Sequence, residues 1–170
     1  MNLIKKRILI TAGEPASISS EITIKAIKKL KNESNAELIV ITDPSLIEIE
    51  LKNLKKSAEL NILDKNLNFT DYKQDFINII PIKLKEKNVY PGILNKNNSD
   101  FVINSIKISV DLLLQNKANA VVTNPINKFI MKSSNFKFDG HTEYLGYLSK
   151  SKKIPIMMLE SEKLKVVPIT

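Results

Sequence analysis

The sequence predicts an α/β protein built on a layered sheet. Three observations point there. Residues 7–11 (RILIT) and 36–42 (AELIVIT) are short apolar runs rich in β-branched residues, the pattern of strands buried on both faces. The stretches that follow them carry N-cap residues and apolar positions at helical spacing. Strand and helix signals also alternate along the chain instead of segregating, which favours helices layered on a sheet.

After residues 7–11, Ala12-Gly13-Glu14-Pro15-Ala16 forms a turn. Pro15 stops the strand, and Gly13 admits a backbone angle that other residues avoid. Ser17, Ser19 and Ser20 offer N-caps for a helix reaching about Lys31, with Ile22, Ile24, Ile27 and Leu30 on its apolar face. A helix N-terminus directly after a strand suits an anion, so Gly13 and Glu14 are candidates for an active-site turn. An ordinary capped strand-to-helix turn is the competing reading. Residues 32–35 are a polar turn before the second strand, and Asp43-Pro44-Ser45 opens a helix to about Leu54. Residues 58–63 read as a third strand and 64–75 as an irregular polar stretch. In 76–82 (FINIIPI), Pro81 suits a strand end or edge. Tyr90-Pro91-Gly92 is a turn. Asn98-Ser99-Asp100 caps the strongest helix, 100–116, whose core stripe is Val102, Ile106, Val110 and Leu113. Residues 118–123 read as a central strand, and 155–159 (PIMML) with 164–168 (LKVVP) as a hairpin. The chain stops at Thr170 just after an apolar strand, so a sheet edge or an active-site wall is expected to be unfinished.

Composition narrows the function. With 170 residues, 43% of them hydrophobic, the chain can bury one ordinary core. There is no cysteine, which removes disulfides, thiolate metal sites and a cysteine nucleophile. No apolar stretch approaches the roughly 20 residues that cross a bilayer, and the start lacks a signal-peptide core. The expectation is a cytoplasmic protein with no membrane partner. The net charge of +8 invites a nucleic-acid reading, but Arg7 is the only arginine and the lysines are scattered. Base and phosphate readers lean on the guanidinium fork, so no nucleic-acid partner is expected. A small basic module binding polyanions is the reading left to exclude.

Chemistry concentrates in residues 121–144 (VVTNPINKFIMKSSNFKFDGHTEY). A strand leaves the core at Thr123-Asn124-Pro125, and a short helix spans 126–131. A flexible polar loop then delivers Gly140-His141-Thr142-Glu143, with the only histidine of the chain. Turns at the carboxyl ends of strands are where open α/β sheets bind ligands. Thr142 also reads as the N-cap of a helix from Glu143 through Leu148.

At Gly13-Glu14-Pro15-Ala16, Val122-Thr123-Asn124-Pro125-Ile126-Asn127-Lys128 and Gly140-His141-Thr142-Glu143, in that order, the chain resembles the 4-hydroxythreonine-4-phosphate dehydrogenase family (PdxA) of vitamin B6 biosynthesis. The resemblance spans nearly the whole chain and is most specific around Phe138-Asp139-Gly140-His141-Thr142-Glu143. It implies oxidation of the C3 hydroxyl of 4-phosphohydroxythreonine with NAD or NADP as cofactor. The β-keto acid formed then loses CO₂ to leave 3-amino-2-oxopropyl phosphate. It also implies a divalent metal (Zn²⁺, Mg²⁺ or Co²⁺), a two-domain subunit similar to isocitrate dehydrogenase, a homodimer and an active site between domains. By match to the family motif, His141 and Thr142 are the substrate-binding pair. Asn127 and Lys128 are candidates for binding an anionic part of the substrate, with a solvated helix lysine as the alternative for Lys128.

The departures matter as well. Family members usually carry Gly-Glu-Pro-Ala-Gly-Ile-Gly-Pro-Glu in the first turn, where this chain has Ser17, Ser19 and Ser20. The resemblance places three metal-binding histidines C-terminal to the segment present here, the first just beyond Thr170, so no metal ligand is expected in this chain. One imidazole does not replace a catalytic set of about three protein ligands. The expectation is that residues 1–170 are the N-terminal portion of a two-domain dehydrogenase of about twice this length, inactive alone. A non-catalytic remnant, and the sister activity on phosphorylated threonate or erythronate, are the alternatives.

Overall fold

The computed structural model describes residues 5–30, 35–67 and 71–168. Five parallel strands form the main sheet: β1 (Lys6–Thr11), β2 (Ala36–Thr42), β3 (Leu60–Ile62), β4 (Ile77–Pro81) and β5 (Ala120–Val122), in the spatial order β3-β4-β2-β1-β5. Parallel neighbours need crossovers, and helices supply three of the four: α1 (Ser19–Leu30), α2 (Pro44–Asn53) and α3 (Ser99–Leu114). Residues 38–42 of β2 are all buried, as expected for a strand covered on both faces. Strand alternation splits the core in two. Ile10, Val40 and Ile79 face Ile24 and Ile27 of α1 and Ile47 and Leu51 of α2. Leu9, Ile39, Ile41 and Ile80 face the other way, with Leu112 of α3.

A third cluster carries the chain from the sheet to the stretch of interest. Phe101, Val102 and Ile106 of α3 pack with Met131 of α4 (Lys128–Ser133), with Phe136, and with Tyr144 of α5 (His141–Leu148). Asp43 ties the ends of two inner strands together. It caps α2 by accepting from Ser45 N at 3.0 Å, and its other oxygen accepts from Leu84 N at 2.8 Å.

Several elements differ from the sequence expectation, each for a local reason. In α1 the buried residues are Ser19, Thr23, Ile24 and Ile27, while Ile22 and Leu30 lie on its outer side. The expected end of that helix at Lys31, and most of the turn at 32–35, lie outside the described residues. The strongest helix starts at Ser99, behind a short 3₁₀ turn (Lys96–Asn98). Asn98 does not cap it, because its amide is spent on the backbone of Glu86, donating at 3.2 Å and accepting at 2.9 Å. Leu112, not Leu113, is the buried end of its stripe. The expected helix 126–131 is shifted to Lys128–Ser133, since Asn127 accepts from Ile130 N at 3.0 Å and so fixes the first turn.

Residues 118–123 do not form a central strand. β5 pairs with β1 alone among the described residues and stands at the sheet edge, with Val122 52% exposed. An apolar run of this length does not by itself distinguish an edge from a centre. The hairpin is present but reduced to β6 (Leu159–Glu160) and β7 (Lys165–Val166), antiparallel, with Lys165 paired to Glu160 at 2.6 Å. Residues 151–167 are all exposed, so their apolar side chains find no face against which longer strands would form.

Candidate functional site

The sheet reverses strand order between β1 and β5, the place where open α/β folds usually open a crevice. Here that place is filled by the protein itself. Glu14 N donates to Pro125 O at 2.9 Å, which joins the turn after β1 to the turn after β5. Asn124 fastens the same junction. Its backbone N donates to Thr11 Oγ1 at 3.0 Å, and its Nδ2 donates to Thr11 O at 2.8 Å and to Thr23 Oγ1 at 2.7 Å. Gly13 adopts φ +71°, and a Cβ there would come within 2.4 Å of Ser19 Oγ and 2.6 Å of Asn124 Cβ. Ser17 Oγ donates to Glu14 O at 2.7 Å and lies 2.8 Å from Ser19 Oγ, so these two serines bond to the turn and to each other. Glu14 is 3% exposed and accepts from Ala16 N at 3.2 Å. Burial raises its carboxyl above the usual range, against the lowering effect of that bond.

The open space lies elsewhere. A cleft of about 800 Å³ is lined by Lys128, His141 and Thr142, among others, and by residues 154–157. Three of the six candidate residues therefore share one wall. Gly13, Glu14 and Asn127 do not line it, and the Oδ1 of Asn127 is committed to the cap of α4.

The α5 N-terminus shapes that wall. Gly140, in extended backbone, occupies the N-cap position and His141 is the first helical residue. Thr142 is therefore inside the helix and does not cap it, contrary to the sequence expectation. The loop before it is less free than its polar composition suggests. Phe136 is buried and packs edge-on against Tyr144 with ring centres 5.1 Å apart. Phe138 lies 5.0 Å from Tyr144 and 5.1 Å from Tyr147. Such pairs add about 0.5–1.5 kcal/mol beyond area burial, and here they clamp the loop onto α5.

His141 is half-buried, and its Nε2 is buried with no hydrogen-bond partner. Burial first, and then the Lys128 charge, push its pKa below the ordinary value of 6.5, so the ring is neutral near neutral pH. A neutral imidazole, a threonine hydroxyl and an ammonium lining one cleft are groups that can hydrogen-bond an oxygen-rich anion. Lys132 takes Asp139 at 2.9 Å, on the exposed side. Among the described residues no group of three His, Cys, Asp or Glu could hold a metal ion. These residues alone do not fit a catalytic divalent metal.

Comparison with known proteins gives the arrangement its context. The family described as pyridoxal phosphate biosynthetic protein PdxA matches residues 34–170. The chain belongs to the PdxA family. A relative from Wigglesworthia glossinidia brevipalpis, named 4-hydroxythreonine-4-phosphate dehydrogenase, is 36% identical over 164 residues, covering 96% of this chain and 48% of the relative. One of the same name from Shewanella frigidimarina is 32% identical, covering 97% and 49%. The crystal structure of a 4-hydroxythreonine-4-phosphate dehydrogenase from Burkholderia phymatum superposes with a TM-score of 0.83 at 25% identity, covering 97% of this chain and 49% of that one. The chain thus spans about half the length of the PdxA relatives it matches. The sequence motifs drew attention to His141, Thr142 and Lys128. They included Asn124 without giving it a role and did not point to the Phe136–Tyr144 clamp, although the alternating aromatics at 136 and 138 were a visible signal.

Proposed function

We propose that this chain is the N-terminal portion of a two-domain 4-hydroxythreonine-4-phosphate dehydrogenase acting in pyridoxal phosphate biosynthesis, in a cytoplasmic homodimer. The observation that carries the reading is the 36% identity across 96% of the chain to a protein of that name. The cleft with His141 and Thr142 on one wall supports it. The reaction removes a hydride from C3 and a proton from its hydroxyl, with NAD or NADP as hydride acceptor. The ketone lies β to a carboxylate, which then leaves as CO₂. When bound, a divalent metal would polarise the oxygen at C3, and ligands for it are to be sought outside the described residues. Neutral His141 meets the substrate with the ring atoms that its half-burial leaves open, Nε2 not being among them. Thr142, with its hydroxyl free of capping, offers a second contact on the same helical turn. The Phe136–Tyr144 clamp holds both at fixed spacing.

The test is NADH or NADPH formation from 4-phosphohydroxythreonine with added divalent metal. It is run on the 170-residue chain alone and on the chain joined to the C-terminal half of the Wigglesworthia relative. The expected result is no turnover by the chain alone and metal-dependent turnover by the joined protein. His141→Ala is expected to remove about 2–4 kcal/mol of transition-state stabilisation. A folded joined protein without turnover, or one indifferent to His141→Ala, would overturn the reading. Faster turnover on phosphorylated threonate or erythronate would replace the substrate with those of the sister activity.

A further inference from the structure

We propose that Lys128 is a further substrate-binding residue, its ammonium receiving the anionic group, phosphate or carboxylate, of the ligand held beside His141 and Thr142. The inference rests on the function proposed above and adds the charge of the group bound at this wall. Lys128 lines the cleft with His141 and Thr142. Among the described residues it makes no ion pair, whereas Lys132, one turn along α4, takes Asp139. The other carboxylate on the wall, Glu143, is exposed and also outside ion-pair distance of Lys128. The cleft therefore holds an ammonium that no carboxylate pairs directly, although its charge reaches Asp139 on the same lining at longer range.

The helix itself does not favour a lysine at this position. Lys128 is the first residue of α4, which has no acidic residue in its first turn. The positive end of a helix disfavours a cation there, and a local rule broken without a local gain marks functional sites. The chain also leaves room for it. A Cβ at Gly140 would lie 3.5 Å from Lys128 Cε and 3.7 Å from Nζ, so the end of the lysine rests against the bare backbone just before His141. The ammonium is thereby held close to the backbone that carries His141, and its charge is one of the two causes of the depressed His141 pKa, after burial. Phosphate and carboxylate oxygens accept charge-assisted bonds from an ammonium, and neutral donors complete the set.

Because His141 is the only histidine, its imidazole C–H signals report on the wall without overlap. The experiment titrates inorganic phosphate, and separately acetate, into the 170-residue chain at pH 7.5, with ionic strength held constant by NaCl. A saturable shift of the His141 signals is expected, with Lys128→Gln weakening apparent affinity about tenfold or more. Lys128→Arg should retain binding and Lys132→Gln should leave it unchanged. A response to phosphate alone or to acetate as well supports the proposal and tells which group the wall accepts. It is overturned if wild type shows no saturable shift, if Lys128→Gln binds as wild type does, or if Lys132→Gln loses as much. Lys128-dependent phosphate binding by a joined protein that shows no turnover would defeat the dehydrogenase reading and leave this one standing. In a joined protein that does turn over, Lys128→Gln with wild-type KM would defeat only this one.

Discussion

Three side chains, His141, Thr142 and Glu14, separate by charge and by what they hold. Thr142 lies inside α5 without a capping bond, so Thr142→Ala should leave stability within about 0.5 kcal/mol of wild type. A melting-temperature drop of the size of a lost N-cap, about 1 kcal/mol, would contradict that placement. His141 has a folded pKa below its ordinary 6.5, through burial and then Lys128. As pH falls through 6.5 the unfolded chain binds more protons than the folded one. The stability that the neutral ring contributes is therefore full above that pH and lost on the way down to the folded value. Thermal melts from pH 8 to pH 5 should show a steeper decline for wild type than for His141→Gln; parallel curves would refute it. Glu14 has the opposite sign. Burial raises its folded pKa above the ordinary 4.5, so its contribution is full below 4.5 and lost as pH rises through the folded value. Glu14→Gln keeps an oxygen for Ala16 N and removes the buried charge. It should raise the melting temperature at pH 7 and make no difference near pH 4.

Among the elements, the junction between the ends of β1 and β5 has most to lose from a single change. Gly13→Ala would put a Cβ into Asn124 and Ser19 at a positive φ, which should cost about 2–4 kcal/mol from strain and overpacking. Asn124→Ala would remove two buried bonds and leave Thr11 O without its donor, a loss of about 2–3 kcal/mol. The two sites touch, so the double variant should lose less than the sum; strict additivity in denaturant melts would argue against a shared junction. The same elements show what the sequence makes legible. Buried strands such as β2 announce themselves, because both faces must be apolar and the run is continuous. Helix starts are harder, since they depend on where one side chain goes. Asn98 reads as a cap yet serves Glu86, and Asn127 caps where the helix was expected to be under way. The position of β5 depends on what lies beside it, which no run of three residues encodes. The site is divided in the same way. His141, Thr142 and Lys128 stand out as polar residues in one stretch, but a shared wall needs the fold of the Phe136–Tyr144 clamp.

For the molecule as a whole, two surface properties oppose each other. Large apolar side chains stand in solvent: Phe129 of α4 at 78% exposed, and along residues 154–164 Ile154 at 86% and Ile156 at 73%, with Met157, Met158, Leu159 and Leu164 also exposed. The outer side of β5 adds open strand edge among the described residues, with Val122 half exposed. Apolar patches and unpaired edges drive association. Against this stands a net charge of +8, which keeps copies apart through long-range repulsion. Salt changes only one side of that balance. Screening shortens the reach of the charges to about 8 Å at physiological ionic strength and about 3 Å at 1 M, while apolar attraction persists. The 170-residue chain should therefore associate more as NaCl rises from low to high concentration, the reverse of an assembly held by ion pairs. Sedimentation velocity across a salt series would show it. Ile154→Lys together with Ile156→Lys, which replace exposed residues and touch no core cluster, should reduce the high-salt association without lowering the melting temperature. A chain that stays monomeric at every salt concentration, or that associates only at low salt, would mean that the exposed apolar region is not what brings copies together.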